Sequence, residues 1–252
     1  MTTSDVVPPD APPPEPAAKP NGFARLAGVI FNPGQTFESI VRRPDFLVPV
    51  LVILVVTIIS TCILVPRMDF AATMREQWEK SGMPADKIEA NLKFGVAFAK
   101  AIAWVSPGLA FLGIVIIAGV LLLAFRLAGG QGTFNQAFSI MLYCEVPSIL
   151  KGIVVAAIVA GRGSIDPQMI ATLVPSNLGF LTSAKEHAMA FAALSSIDLF
   201  TLWTLVLITI GFSTMSRLSR AKSAVIVVCL WLLTVLLKLG AAAMQSLRVK
   251  QR

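Results

Sequence analysis

Long uninterrupted apolar blocks alternate with short polar segments along most of this chain. The blocks cover about residues 46–66, 101–126, 134–161, 188–216 and 223–247. At a rise of about 1.5 Å per residue, a helix of about 20 residues crosses the roughly 30 Å hydrocarbon core of a bilayer. The pattern therefore predicts an all-α polytopic membrane protein, in which residues 46–247 form a bundle of five transmembrane helices.

Amphipathic segments lie ahead of the first apolar block. Apolar positions at helical spacing predict two short helices at about 22–31 and 33–43, within the segment 22–45. Such helices lie in the membrane interface, with basic residues near lipid phosphates and apolar residues wedged into the lipid. The candidate lipid-contacting residues, three of which lie in a later short turn, are Arg42, Arg43, Arg217, Arg220 and Lys222.

A charged extramembrane segment at 67–100 separates the first two spans. Opposite charges four residues apart predict two amphipathic helices broken at 82–84, of which the second runs on into the span at 101–126. The expected ion pairs are Arg75 with Glu79, Glu76 with Lys80, and Glu89 with Lys93.

Charged residues interrupt three of the later apolar blocks. Glu145 and Lys151 flank Pro147 in the third block, which predicts a kinked helix. Charges at membrane depth are costly. The candidate functional groups are therefore Glu145 and Lys151, with Pro147 between them, and also Asp198 and Lys238. For Glu145 we keep two hypotheses: a structural role, as a neutral acid or paired with Lys238, and proton or ion handling. Asp198 either caps the fourth span or takes part in function.

Composition excludes some classes of protein and some kinds of partner. With 56% hydrophobic and 14% charged residues, an ordinary soluble fold is excluded. The net charge is +7, and the 21 Lys and Arg residues are scattered among loops. This distribution favours the lipid bilayer over nucleic acid as the partner. Residues 1–21 are rich in proline and lack aromatics, which predicts a disordered tail that is either plainly solvated or recognised by an aromatic groove.

Motifs that carry chemistry are sparse. His187 is the one histidine, and the three cysteines lie inside apolar blocks. The glycine-rich stretch 129–132 lacks the lysine and Ser/Thr of a phosphate-binding loop, so we predict a tight turn, with Thr133 capping the third span. We expect no catalytic residue, metal site or cofactor, and therefore no enzyme.

The distribution of basic residues predicts the orientation of the chain. The turn that carries Arg217, Arg220 and Lys222 is short and holds no acid, which places it in the cytoplasm. The amino terminus is then cytoplasmic as well, and an odd number of spans puts the carboxyl terminus on the opposite side.

Four short motifs occur in a fixed order against the apolar blocks. They are Ile30-Phe31-Asn32-Pro33 with Thr36-Phe37; Gly82-Met83-Pro84 with Ile88-Glu89; Gly129 to Gln136 leading to Tyr143 and Pro147; and Ile197 to Trp203. Over about residues 26–240, this arrangement resembles the YIP-one (Ypt/Rab-interacting protein) family of five-span membrane proteins. The resemblance to its bacterial members implies the same topology, a bacterial inner membrane and a membrane-organising or assembly-partner role.

Two functions follow as hypotheses. The first is a non-enzymatic protein that organises lipid or docks other membrane proteins. The alternative is a small transporter or channel that uses Glu145 and Lys151 near the Pro147 kink. The acidic tail motif of eukaryotic YIP-one proteins is not evident ahead of the first span, so binding of small GTPases is not expected.

Overall fold

The computed structural model describes residues 21–182 and 187–250, and these residues form helices joined by turns and loops. The predicted tail at 1–21 lies outside the described residues except for Asn21. The α-helices are α1 (Gly22–Phe31), α2 (Pro33–Arg42), α3 (Leu47–Leu64), α4 (Phe70–Lys80), α5 (Ala85–Leu127), α6 (Phe134–Cys144), α7 (Val146–Ala160), α8 (Ala188–Ser196), α9 (Leu199–Ser216) and α10 (Arg220–Lys250). Short 3-10 turns cover Val65–Arg67, Pro167–Thr172 and Leu178–Leu181.

Five helical segments are long and apolar enough to cross a membrane, and they confirm the predicted all-α polytopic fold. They are Leu47–Arg67, Ala85–Leu127, Phe134–Ala160, Leu199–Ser216 and Arg220–Met244. Helix α5 is continuous over 43 residues, so at about 1.5 Å per residue it is twice as long as a bilayer core requires. Its first part therefore projects beyond the membrane.

Two of the predicted spans are broken. The third breaks at Glu145, which ends α6 and precedes α7, because Pro147 lies in the first turn of α7 and lacks an N–H group. The fourth breaks at Ile197 and Asp198. Asp198 caps α9 by accepting hydrogen bonds from the N–H groups of Phe200 and Thr201, so the fourth span begins at Leu199 and not at residue 188.

Helix α4 folds back on the projecting part of α5. A side chain at Gly95 would collide with Met74 and Trp78, so this glycine lets the two helices approach closely. As a result Arg75 pairs with Glu89 across the hairpin, at 2.8 Å, and the predicted Arg75–Glu79 and Glu89–Lys93 pairs are wrong. The third expected pair, Glu76 with Lys80, forms at 2.9 Å.

The bundle has two distinct ends. At one end α2, the 128–133 turn and the α9–α10 turn meet, since Gln131 N–H donates to the Ser216 carbonyl and Gln136 Nε2 to the Val41 carbonyl. We call this the basic end. At the other end the 161–182 loop joins the start of α4, since Ile165 exchanges backbone hydrogen bonds with Arg67 and Asp69. We call this the hairpin end, after the hairpin of α4 and α5.

Candidate functional site

A buried arginine fixes the α1–α2 hairpin to the bundle. Arg25 is 4% exposed, and its guanidinium donates to the hydroxyl and carbonyl oxygens of Ser39 and to the Arg43 carbonyl, each at 3.0 Å. It also forms an ion pair with Asp45. The other oxygen of the Asp45 carboxylate accepts a hydrogen bond from the Tyr143 hydroxyl of α6, at 2.7 Å. This network therefore connects α1, α2, the start of the first span and the third span.

Apolar packing acts at the same interface. Phe37 and Ile40 of α2 are fully buried. A Cβ atom at Gly211 of α9 would lie 3.2 Å from the Phe37 ring and 2.4 Å from Ile140 of α6. The glycine thus opens a notch that receives Phe37. The apolar face of α2 packs against protein here, whereas the sequence predicts that it enters lipid.

The five candidate lipid-contacting residues all lie at the basic end, and all are exposed. Lys222 Nζ donates to the Ala128 carbonyl at 2.6 Å, and Arg126 donates to the Gly132 carbonyl at 2.7 Å. These bonds brace the turn between the second and third spans. Thr133 and Gln136 form a capping box at the start of α6, as predicted for Thr133. The basic end is therefore a set of cations held on a braced frame.

Lys151 and Asp198 form an ion pair near the hairpin end. Their charged atoms are 2.8 Å apart, and the Asp198 side chain is only 3% exposed. The Ser176 hydroxyl also donates to Asp198, and Lys151 Nζ lies 6.0 Å from the centre of the Phe200 ring. Burial raises the pKa of the Asp198 carboxyl, but the hydrogen bonds from Lys151, Ser176 and the Thr201 N–H outweigh it, so the pKa lies below its ordinary value.

Two adjoining cavities run from this ion pair into the bundle. A cavity of about 430 Å³ is lined by Lys151, Asp198 and Phe200, and one of about 250 Å³ is lined by Glu145 and Pro107. The residues lining both cavities are Ser60, Ser148 and Gly152. We call this pair of cavities the α3–α7 groove; Lys151 lines one of the cavities and Glu145 the other.

The structure does not pair Glu145 with Lys238. Lys238 is exposed on α10, which packs against α8, α9 and α5, whereas Glu145 faces α3 and α5 from the α6–α7 junction. The predicted ion pair is therefore wrong, and Lys151 takes Asp198 as its partner. Among the described residues, no three His, Cys, Asp or Glu side chains come together in a way that fits a metal ion.

Sequence reasoning missed the role of Arg25, Asp45 and Tyr143. A signal exists for Arg25, because it lies four residues before Val29 and so falls on the buried face of α1. Asp45 and Tyr143 are 98 positions apart, and no pattern in one sequence joins them.

Comparison with known proteins places the chain in a family. The model of the Yip1 domain matches residues 27–242. The membrane protein YknW of Bacillus subtilis (strain 168) is 27% identical over 224 residues, which cover 88% of this chain and 91% of that protein. No solved structure matches. The chain therefore belongs to the Yip1 domain family, and it is a multi-pass membrane protein similar to a bacterial one.

Proposed function

We propose that the protein is a non-enzymatic membrane-organising protein whose basic end docks onto anionic lipid headgroups and other membrane proteins. One observation carries the proposal: the α1–α2 hairpin is locked onto the bundle by Arg25 and Phe37. The lock holds Arg42 and Arg43 at the same end as the cations of the α9–α10 turn. Several cations on a rigid frame attract anionic headgroups without a loss of chain entropy on binding.

Charge also supports an orientation in the bilayer. The turns at the basic end are short and hold Arg126, Arg217, Arg220 and Lys222 without an acid, as in cytoplasmic loops. The basic end is then cytoplasmic, the hairpin end is exported, and the bacterial relative supports a bacterial inner membrane.

The structure changes the proposed mechanism of lipid contact. Phe37 and Ile40 are buried in the bundle and are not free to wedge into lipid. Phe23 and Phe31 of α1 are 62% and 85% exposed, so the apolar contact comes from α1. The charges then supply attraction to the headgroups, and α1 supplies a shallow apolar anchor.

A charge-removal experiment tests the proposal. One variant replaces three basic-end residues by glutamine (Arg42, Arg43 and Arg220), and its control replaces three hairpin-end residues (Arg75, Lys87 and Lys93). Crosslinking pull-down from native membranes and mass spectrometry of co-purified lipid are run on both. We expect the basic-end variant alone to lose anionic lipid and a reproducible partner. Equal losses in both variants, or no loss in either, would contradict the proposal.

The α3–α7 groove favours a second candidate function, a small transporter or channel. The observation behind it is that Glu145 and the Lys151–Asp198 pair line two adjoining cavities with shared walls. Irregular backbone next to a charged cavity is typical of transport sites. In proteoliposomes, flux that is lost in Glu145→Gln but kept in Arg42→Ala would support transport. Lipid binding that is lost in Arg42→Ala but kept in Glu145→Gln would favour docking.

A further inference from the structure

Arg217 has a backbone conformation that is unusual for its residue type. It ends α9 in the left-handed region, with φ of 59° and ψ of 19°. Among the described residues it is the only residue other than glycine with a positive φ. The described glycines with a positive φ are Gly82, Gly129 and Gly132. Glycine is the common residue at such a helix end, because a Cβ atom is disfavoured there. The arginine side chain is therefore present despite a backbone cost.

The Arg217 side chain lines a cavity at the basic end. The cavity has a volume of about 300 Å³ and lies between α2, the 128–133 turn and the end of α9. The lining residues that carry polar side chains are Glu38, Arg42, Gln131, Gln136, Thr214 and Arg217. A volume of this size is at the lower end of the range for ligand sites, so it suits a small polar group.

The walls of the cavity are fixed by contacts that do not involve its two arginines. Gln136 donates to the Val41 carbonyl at 2.9 Å and so ties α6 to α2. Gly132 has no room for a side chain, since a Cβ atom there would lie 2.8 Å from Met215 Sδ. The cavity is therefore built by packing, and Arg42 and Arg217, which also line it, are exposed.

The charges of the cavity favour an anion. Two arginines line it against one acidic residue, Glu38, whose carboxylate lies 3.6 Å from the Arg42 guanidinium. The further cations at this end raise the local potential. Guanidinium groups bind phosphate oxygens in pairs of charge-assisted hydrogen bonds, so two of them across a small cavity match a phosphate.

We propose that Arg42 and Arg217 clamp one phosphate group, the diester of an acidic phospholipid headgroup, in this cavity. The inference rests on the proposed function and gives it a defined ligand site, in place of a diffuse basic surface. A headgroup is the favoured source because the cavity lies where α9 leaves the membrane at Ser216.

The test compares Arg217→Gly with Arg43→Gln, which removes the same charge from an exposed residue outside the cavity. The full chain is placed in phosphatidylcholine nanodiscs, and binding of spin-labelled phosphatidylglycerol is measured. We expect Arg217→Gly to weaken binding about tenfold, as for loss of a bidentate contact, and Arg43→Gln to weaken it about twofold, as for loss of one cation from the surrounding basic surface. Arg217→Gly removes the backbone cost, so its melting temperature should equal or exceed that of the parent protein.

The other outcomes overturn separate parts of the account. Equal weakening by both variants would leave the basic end as a diffuse surface and would overturn the clamp alone. If the parent protein shows no preference for phosphatidylglycerol, the proposed function fails as well. Inorganic phosphate that displaces the lipid would assign the cavity to a soluble phosphate. Should Arg217→Gly fold poorly, Arg42→Gln removes the other half of the clamp and must give the same loss.

Discussion

Two ion pairs show what single residues contribute to this protein. Lys151 and Asp198 both stand out in the sequence as charges in apolar blocks, yet their pairing depends on the break at residue 197 that turns Asp198 toward α7. Arg25 is the one charged residue of α1, and Asp45 lies just before the first apolar block. The helical spacing places Arg25 on the buried face of α1, but its pairing with Asp45 and the hydrogen bond from Tyr143 of α6 are not visible in the sequence, because these residues are far apart along the chain.

Substitutions at Asp198 separate its two roles. Asp198→Asn keeps a good helix cap but removes the charge, whereas Asp198→Ala removes both. We expect Asp198→Ala to lower the free energy of unfolding by about 3 kcal/mol, because both the cap and the ion pair are lost. Asp198→Asn should lower it by less, because the cap remains and the unpaired Lys151 is partly exposed to solvent. Thermal unfolding in detergent measures this order, and equal losses would contradict the capping role.

The lowered pKa of Asp198 also predicts a pH dependence. Its ordinary value is 3.8, and the folded value lies below it. A carboxyl of this kind contributes stability above its ordinary pKa and loses it as the pH falls through the folded value. The melting temperature of the parent protein should therefore fall more steeply than that of Asp198→Asn below about pH 4. Parallel curves would show that Asp198 has no net pairing energy.

The Arg25 network predicts graded effects. Tyr143→Phe removes one hydrogen bond to Asp45 and should cost about 1 kcal/mol. Arg25→Met leaves the oxygens of Ser39 and Arg43 without their donor and should cost about 2 kcal/mol, less than a fully buried pair because Asp45 is partly exposed. Arg220→Gln, on the surface, is the control. Melting curves that do not separate the three variants would contradict the lock.

At the scale of helices, apolar periodicity predicts the elements well, and small residues decide how they pack. The spacing of apolar residues places α1, α2 and every span except the fourth close to their observed positions, and the spacing of opposite charges places α4. Packing partners depend instead on notches at Gly95 and Gly211, and on a proline in the first turn of α7. The residues around a glycine in an apolar block do not indicate which helix packs against it. The docking of α2 on α9 is therefore visible only in three dimensions.

The glycine notch gives a direct test of α2 docking. Gly211→Ala would place a Cβ atom against Ile140 and Phe37, and overpacking of this kind costs about 1–3 kcal/mol. Gly113→Ala in α5 has open space around it, so it is the matched control and should be neutral or slightly stabilising. Limited proteolysis between α2 and α3 reads out undocking, and equal cleavage of both variants would contradict the packing.

At the scale of the whole molecule, the distribution of basic residues predicts which end of the bundle faces the cytoplasm. After replacement of the native cysteines, single cysteines are placed at Ser164 and Ser219, which are exposed at the hairpin end and the basic end. A membrane-impermeant maleimide added to intact cells should label the cysteine at position 164 and not the one at 219. Labelling of position 219 alone would reverse the orientation and would place the basic end outside the cell.

The proposed function depends on an α1–α2 hairpin that is a fixed part of the bundle and holds the basic end rigid. Hydrogen exchange of the backbone amides in α2, measured in detergent and in lipid nanodiscs, tests it most directly. We expect slow exchange of α2 in both, similar to that of α9, and faster exchange in Gly211→Ala. Fast exchange in detergent that slows only when lipid is present would show that lipid, and not the bundle, holds the helix, and would contradict the account.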